Sequence, residues 1–180
     1  MSSKDPHPIV RAGLEKCGIK YRVFQCDPDL ADTAVFCEHY GFAPDTTANT
    51  IIAVGKTSPL KYACAVILAT TKLDVNKRIS QLLGVKRCSF ASGEQTLELT
   101  GMQIGGVTPF GLPDIPIYLD SRIMDCEEVV LGGGNRTTKI LLQAHELQKL
   151  PNCDVIEGLG LVREATGSLN RPGFSGDSVS

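Results

Sequence analysis

The 180-residue chain is 42% apolar and 21% charged, with a formal net charge of −2. That is the make-up of one globular domain with a full hydrophobic core. It excludes a broad electrostatic grip on long nucleic acid, which needs a basic face, and the absence of tryptophan beside four tyrosines and six phenylalanines excludes an extended base-stacking platform.

Residues 1–8 are polar and lack the apolar segment of a secretory leader, and no apolar run approaches membrane-span length, so a cytoplasmic protein is expected. Residues 8–17 read as a short helix between Pro8 and Gly18. Residues 21–26 alternate as a strand does. Asp29 or Asp32 caps a second helix running to Tyr40 and stopped by Gly41. Residues 50–54 form a β-branched strand, residues 55–59 a turn, and residues 62–69 a continuous apolar strand expected at the centre of a sheet. Asp74 caps a third helix with Val75, Ile79, Leu82 and Leu83 on one face, ended by Gly84. A short strand at 86–91 and a capped helix at 92–101 follow. Strands are then expected at 115–119, 128–131 and 140–142, and a last short helix at 144–150, stopped by Pro151. Strands and helices mix without a βαβ rhythm, which predicts an α+β domain over residues 1–163. Residues 164–180, rich in Gly, Ser, Asn and Pro, are expected to be a fraying tail.

Seven cysteines, at 17, 26, 37, 64, 88, 126 and 153, are an odd number with no Cys-x-x-Cys spacing. That argues against a disulfide framework and a zinc ribbon, and for buried thiols in a reducing compartment. No metal or cofactor is expected. The histidines are His7, His39 and His145; Cys37 and His39 are two positions apart and do not share a helix face, which argues against a cysteine nucleophile.

The most informative segment is residues 99–120. It carries Gly101, Gly105, Gly106 and Gly111 with Pro109, Pro113 and Pro116, framed by apolar residues. Glycine lets the main chain approach a ligand and proline fixes the bend, so Gly105, Gly106, Val107, Thr108 and Pro109 form a candidate loop offering N–H groups to one ligand oxygen. A tight β-turn without a ligand is the alternative.

Residues 73–78 (Leu-Asp-Val-Asn-Lys-Arg), 99–101 (Leu-Thr-Gly), 105–113 (Gly-Gly-Val-Thr-Pro-Phe-Gly-Leu-Pro), the strand ending at Asp120, the turn 132–136 (Gly-Gly-Gly-Asn-Arg) and 145–147 (His-Glu-Leu) occur in an order and spacing that resembles the YbaK/EbsC family. These are free-standing relatives of the editing domain inserted in bacterial prolyl-tRNA synthetases. The resemblance runs from about Ile9 to Pro151. It implies a mixed, curved, barrel-like β-sheet surrounded by helices. It also implies an aminoacyl-tRNA deacylase acting in trans on the acceptor end of a mischarged tRNA, with an aminoacyl-tRNA synthetase as a further candidate partner. The Gly105-to-Pro109 loop matches the family's Gly-x-x-x-Pro loop, which holds the aminoacyl group. Ester hydrolysis builds negative charge on the carbonyl oxygen, and backbone N–H donors stabilise it. No Ser–His–Asp set is present. In the family, water or a substrate hydroxyl or thiol attacks while the enzyme positions the ester.

The chain departs from the family pattern at two places. Asn49 stands where the family has a lysine associated with the acceptor-end phosphate or ribose. A charged hydrogen bond is worth roughly 1.5–3 kcal/mol against about 1 kcal/mol for a neutral one. Lys56, Lys61 and Arg136 are the candidates to restore the charge, with a solvated surface role as the alternative for each. The turn Gly132-Gly133-Gly134-Asn135-Arg136 reads either as a second rim near the adenosine or as a plain hairpin turn. Some relatives carry an acidic residue farther along; here that position is about Lys139. The competing function is a catalytically weakened binding module that senses an amino acid, a nucleotide or an aminoacyl-tRNA.

Overall fold

A computed structural model describes residues 4–163; the expected tail, 164–180, lies outside the described residues. Helix α1 (Pro8–Lys16) begins where His7 Nδ1 accepts the Ile9 N–H, and it buries Val10 and Leu14 one turn apart. After β1 (Arg22–Gln25) a 3-10 turn, Pro28–Leu30, is capped by Asp27. Helix α2 (Thr33–Tyr40) starts at Asp32, but the Asp32 carboxylate makes no capping hydrogen bond and is engaged elsewhere.

Strands β2 (Ala48–Gly55) and β3 (Lys61–Leu68) form a hairpin paired from Ala48–Leu68 to Gly55–Lys61. β3 is buried on both faces. Cys64 and Val66 join the main core with Leu14, Phe110, Leu119 and Ile140, while Ala63, Ala65 and Ile67 join a second cluster with Ile79 and Leu159. That two-sided burial is why its sequence runs apolar without alternation. Each fully buried Leu, Ile or Phe among these contributes about 1.5–3 kcal/mol. β4 (Thr71–Leu73) follows.

The segment capped by Asp74 departs from the expected regular helix. The Asp74 carbonyl accepts from both Arg78 N and Ile79 N, which widens Val75–Ile79 into a π turn ahead of a single α-helical turn, α3 (Ser80–Leu83). After β5 (Cys88–Phe90), α4 (Gly93–Thr100) carries a reciprocal Ser92–Gln95 capping box. β6 (Ile117–Asp120), β7 (Glu128–Gly132) and β8 (Thr138–Gln143) lie where strands are expected. Residues Ala144–Lys149 are a 3-10 helix, and Leu150, ahead of Pro151, is extended. β9 (Cys153–Ile156) and β10 (Gly160–Val162) close the described chain.

The strands make a mixed five-stranded sheet, β5-β2-β3-β6-β9, an antiparallel sheet, β1-β8-β7, and the pair β10-β4. The two larger sheets meet where Thr47 bridges Val130. The architecture is mixed α+β. Among the described residues the strands form no closed ring.

The 3-10 helix docks on the α1–β1 connection through one buried carboxylate. Glu146, 4% exposed, accepts from Lys20 N at 2.6 Å and Lys149 Nζ at 2.9 Å. The backbone hydrogen bond from Lys20 chiefly, and Lys149 next, hold its pKa below the usual carboxylate value. A depressed carboxylate stabilises the fold above its unfolded pKa and loses that contribution as pH falls through its folded pKa. Glu146→Gln is therefore expected to melt lower than wild type at pH 7. The gap should shrink as thermal melts are taken down from pH 5 to pH 3; a gap independent of pH would contradict this.

Candidate functional site

The two glycine turns singled out in the sequence are packed against each other, main chain to main chain. Gly134 N donates to Gly106 O at 2.6 Å, and Gly106 N donates to Gln103 O at 2.9 Å. A Cβ on Gly106 would lie 2.2 Å from Asn135 O, and one on Gly132 would lie 2.6 Å from Gly106 O. Gly105 has φ +92, a left-handed value glycine adopts freely, and a Cβ there would strike Arg136. No side chain fits in this contact.

A cleft of about 280 Å³ opens beside the glycine contact, between the start of β2, the start of α2 and the end of β7. It brings together Asn49, Gly105, Val107 and Gly132 of the expected site residues, with Asp32, Thr33, Thr50, Ile51, Ile104 and Lys139. Asn49 is fixed by Thr33, whose hydroxyl donates to Asn49 Oδ1 at 2.5 Å. The amide Nδ2 is thereby left as the donor end. Within the described residues no hydrogen bond uses the Val107 N–H. The Thr50 hydroxyl is buried without a partner.

The other expected residues stand behind or beside the cleft. The Gly106 N–H is already spent on Gln103, so it is no free donor. Gly133 O accepts from His7 N at 2.8 Å, and Gly134 packs on His7. Asn135 Oδ1 accepts from both N–H and hydroxyl of Thr138, and Nδ2 donates to Asp5 O. Arg136 is a strut: its Nε donates to Pro28 O, and one terminal nitrogen donates to Ile104 O and pairs with Asp32 at 3.0 Å. That pair is where the Asp32 carboxylate is used instead of capping α2. Thr108 is wholly buried with an unpartnered hydroxyl. Pro109 faces a separate cleft of about 590 Å³ between α1 and the residues before β6.

Lys139, which the sequence marks only as standing about where some relatives carry an acidic residue, is the residue not expected as the site's cation. It lies opposite Gly132 in the β7–β8 ladder and is 5% exposed. Its Nζ donates to Ala31 O at 2.6 Å and Gly105 O at 3.1 Å, and sits 5.2 Å from the centre of the Phe36 ring. Burial pulls its pKa below the usual lysine value, and the neighbouring Arg136 adds to that. A lysine inside a strand otherwise buried on both faces was the available signal. Lys56 and Lys61 lie at the far end of the β2–β3 hairpin, where Gly55 pairs with Lys61, six positions along β2 from Asn49.

No cysteine or histidine lines the cleft. Burial raises the thiol of Cys64 far above its ordinary value and that of Cys153 to about 11. Among the described residues no three His, Cys, Asp or Glu side chains group as a metal site, and no helix is long and apolar enough to cross a membrane.

The model of the aminoacyl-tRNA editing domain family matches residues 27–150. The chain is 39% identical over 79 residues to the uncharacterized protein YwhH of Bacillus subtilis (strain 168), a match spanning 43% of this chain and about half, 49%, of YwhH. It is similar in fold to the crystal structure of hypothetical protein APE2540, with TM-score 0.74, 22% identity, and coverage of 84% of this chain and 99% of that one. It is also similar to a candidate trans-editing enzyme for prolyl tRNA synthetase, with TM-score 0.73, 24% identity, and coverage of 88% and 99%.

The packing of the glycine turns makes a direct expectation. Gly106→Ala should lower stability by about 1–3 kcal/mol in urea unfolding, because backbone must move to admit one methyl group. Gly93→Ala, whose Cβ would meet only Ile104 at 3.6 Å, is the control expected to change little. Equal effects would contradict the contact.

Proposed function

The chain belongs to the aminoacyl-tRNA editing domain family, and from that premise we propose that it is a deacylase acting in trans, hydrolysing the ester between a small amino acid and the terminal ribose of a mischarged tRNA. The observation that carries the reading is the cleft that Asn49, Gly105 and Val107 line together. Residues 1–163 act as one editing unit, working in the cytoplasm on the tRNA acceptor end, with a synthetase as candidate partner.

The reaction needs no side-chain nucleophile. A water oxygen, or a hydroxyl or thiol of the substrate, bonds to the ester carbonyl carbon, and the carbonyl oxygen takes up the negative charge. The ribose oxygen then leaves with the bonding electron pair and collects a proton. Water as nucleophile yields the free amino acid and the tRNA 3′ end. The Val107 N–H and the Asn49 amide are the fixed donors on hand for the developing oxyanion; one such donor is worth about 2.7–4 kcal/mol where water is excluded. The remaining rate comes from holding the ester in place. A cleft of about 280 Å³ favours small amino acids.

Asn49 motivates a second reading, a binding module of the same fold that senses an amino acid, a nucleotide or an aminoacyl-tRNA without hydrolysing it. A panel of mischarged tRNAs separates the two. The deacylase reading expects at least one alanyl, seryl, cysteinyl or threonyl ester to be cleared at least 100-fold faster than in buffer. Asn49→Ala should slow that reaction about 10²–10³-fold, the loss of one oxyanion donor. No acceleration on any substrate, with retained binding of a non-hydrolysable aminoacyl-adenosine, would replace it with the sensor reading.

A further inference from the structure

We infer that Lys139 supplies the positive charge of the site, so that the cation stands on the β8 wall of the cleft instead of at position 49 on β2. The inference rests on the editing reading above and names the group that serves its oxyanion. Of the four cations that could make up for an uncharged Asn49, Lys139 alone lines the cleft. Lys56 and Lys61 are at the far end of the hairpin. Arg136 is held behind the glycine loop by Pro28, Ile104 and Asp32.

The ammonium carries three N–H donors. Two are used, on Ala31 O and Gly105 O, and no hydrogen bond among the described residues uses the third. Through Gly105 the charge is tied to the same loop that offers the Val107 N–H. A cation beside a donor loop, at 5% exposure, is screened little by solvent, and its attraction for a developing oxyanion is correspondingly larger than at a surface. Such a group favours the transition state over the neutral ester, so its removal should act on the chemical step more than on binding.

The competing account is that Lys139 only ties two carbonyls together. Moving the charge distinguishes them, read by single-turnover deacylation with thermal melts as the check on folding. Lys139→Met is expected to slow the chemical step about 10²–10³-fold while half-saturation shifts less than threefold. Lys139→Gln keeps a donor for the carbonyls and loses only the charge, and should be nearly as slow. Lys139→Met with Asn49→Lys returns a cation to the cleft and should regain at least tenfold. Asn49→Lys alone should bring no gain, and Lys56→Ala and Lys61→Ala should match wild type. Lys139→Gln within threefold of wild type, or a double variant no faster than Lys139→Met, overturns the inference. If wild type clears no ester, the deacylase reading fails by itself. The charge assignment is then read from the Kd of an anionic phosphonate analogue of the ester, expected at least tenfold weaker for Lys139→Gln and regained in the double variant. Equal affinities would reject it.

Discussion

Gly134 N meets Gly106 O at 2.6 Å, and the Cβ positions of Gly106 and Gly132 would fall on opposing main chain. Two turns that are 26 to 28 residues apart in sequence therefore share one thin layer of backbone. Everything around the cleft takes its position from that layer. The hydrogen bonds that hold it consume the Gly106 and Gly134 N–H groups, so the donors left over are those at its edge, Val107 above all. A loop that hydrogen-bonds with itself and its neighbour is held against rearrangement, and fixed donors are the kind that catalysis by electrostatics requires.

Burying a cation costs several kcal/mol unless its donors are satisfied. Lys139 meets that cost with two carbonyls and an aromatic face. Ala31 lies just before α2, Gly105 lies in the loop, and Phe36 lies on α2 itself, so one ammonium joins the helix to the loop across the cleft. The Arg136–Asp32 pair runs the same span nearer the surface, with Asp32 63% exposed, and is correspondingly weaker. The wall of the cleft is thus built from interactions that also set its charge.

Much of this was legible in the sequence. Ser92 and Gln95 spell their capping box, the apolar run of β3 announces a strand buried on both sides, and the glycine and proline order marks the loop. Three kinds of feature were not legible. Short edge strands such as β9, Cys-Asp-Val-Ile, carry too little periodicity to stand out. The π turn after Asp74 depends on an extra backbone hydrogen bond that side-chain spacing does not encode. The site charge was sought in surface-type lysines and in an arginine beside the glycines, because sequence distance is a poor guide to distance across a ladder. Lys139 is seven residues past Gly132 in the chain yet directly opposite it in the sheet.

The stretch shared with the family, residues 27–150, begins after α1 and β1 and stops before β9. Yet α1 fills the core with Val10 and Leu14, His7 donates to Gly133, and β9 pairs in parallel along the whole of β6. The stretch shared with the family and the folding unit are therefore different lengths of chain. Excised at the family boundaries, the glycine layer would lose the helix that backs it and β6 would become a bare edge. Any fusion or transplant of this domain has to carry the flanks with it.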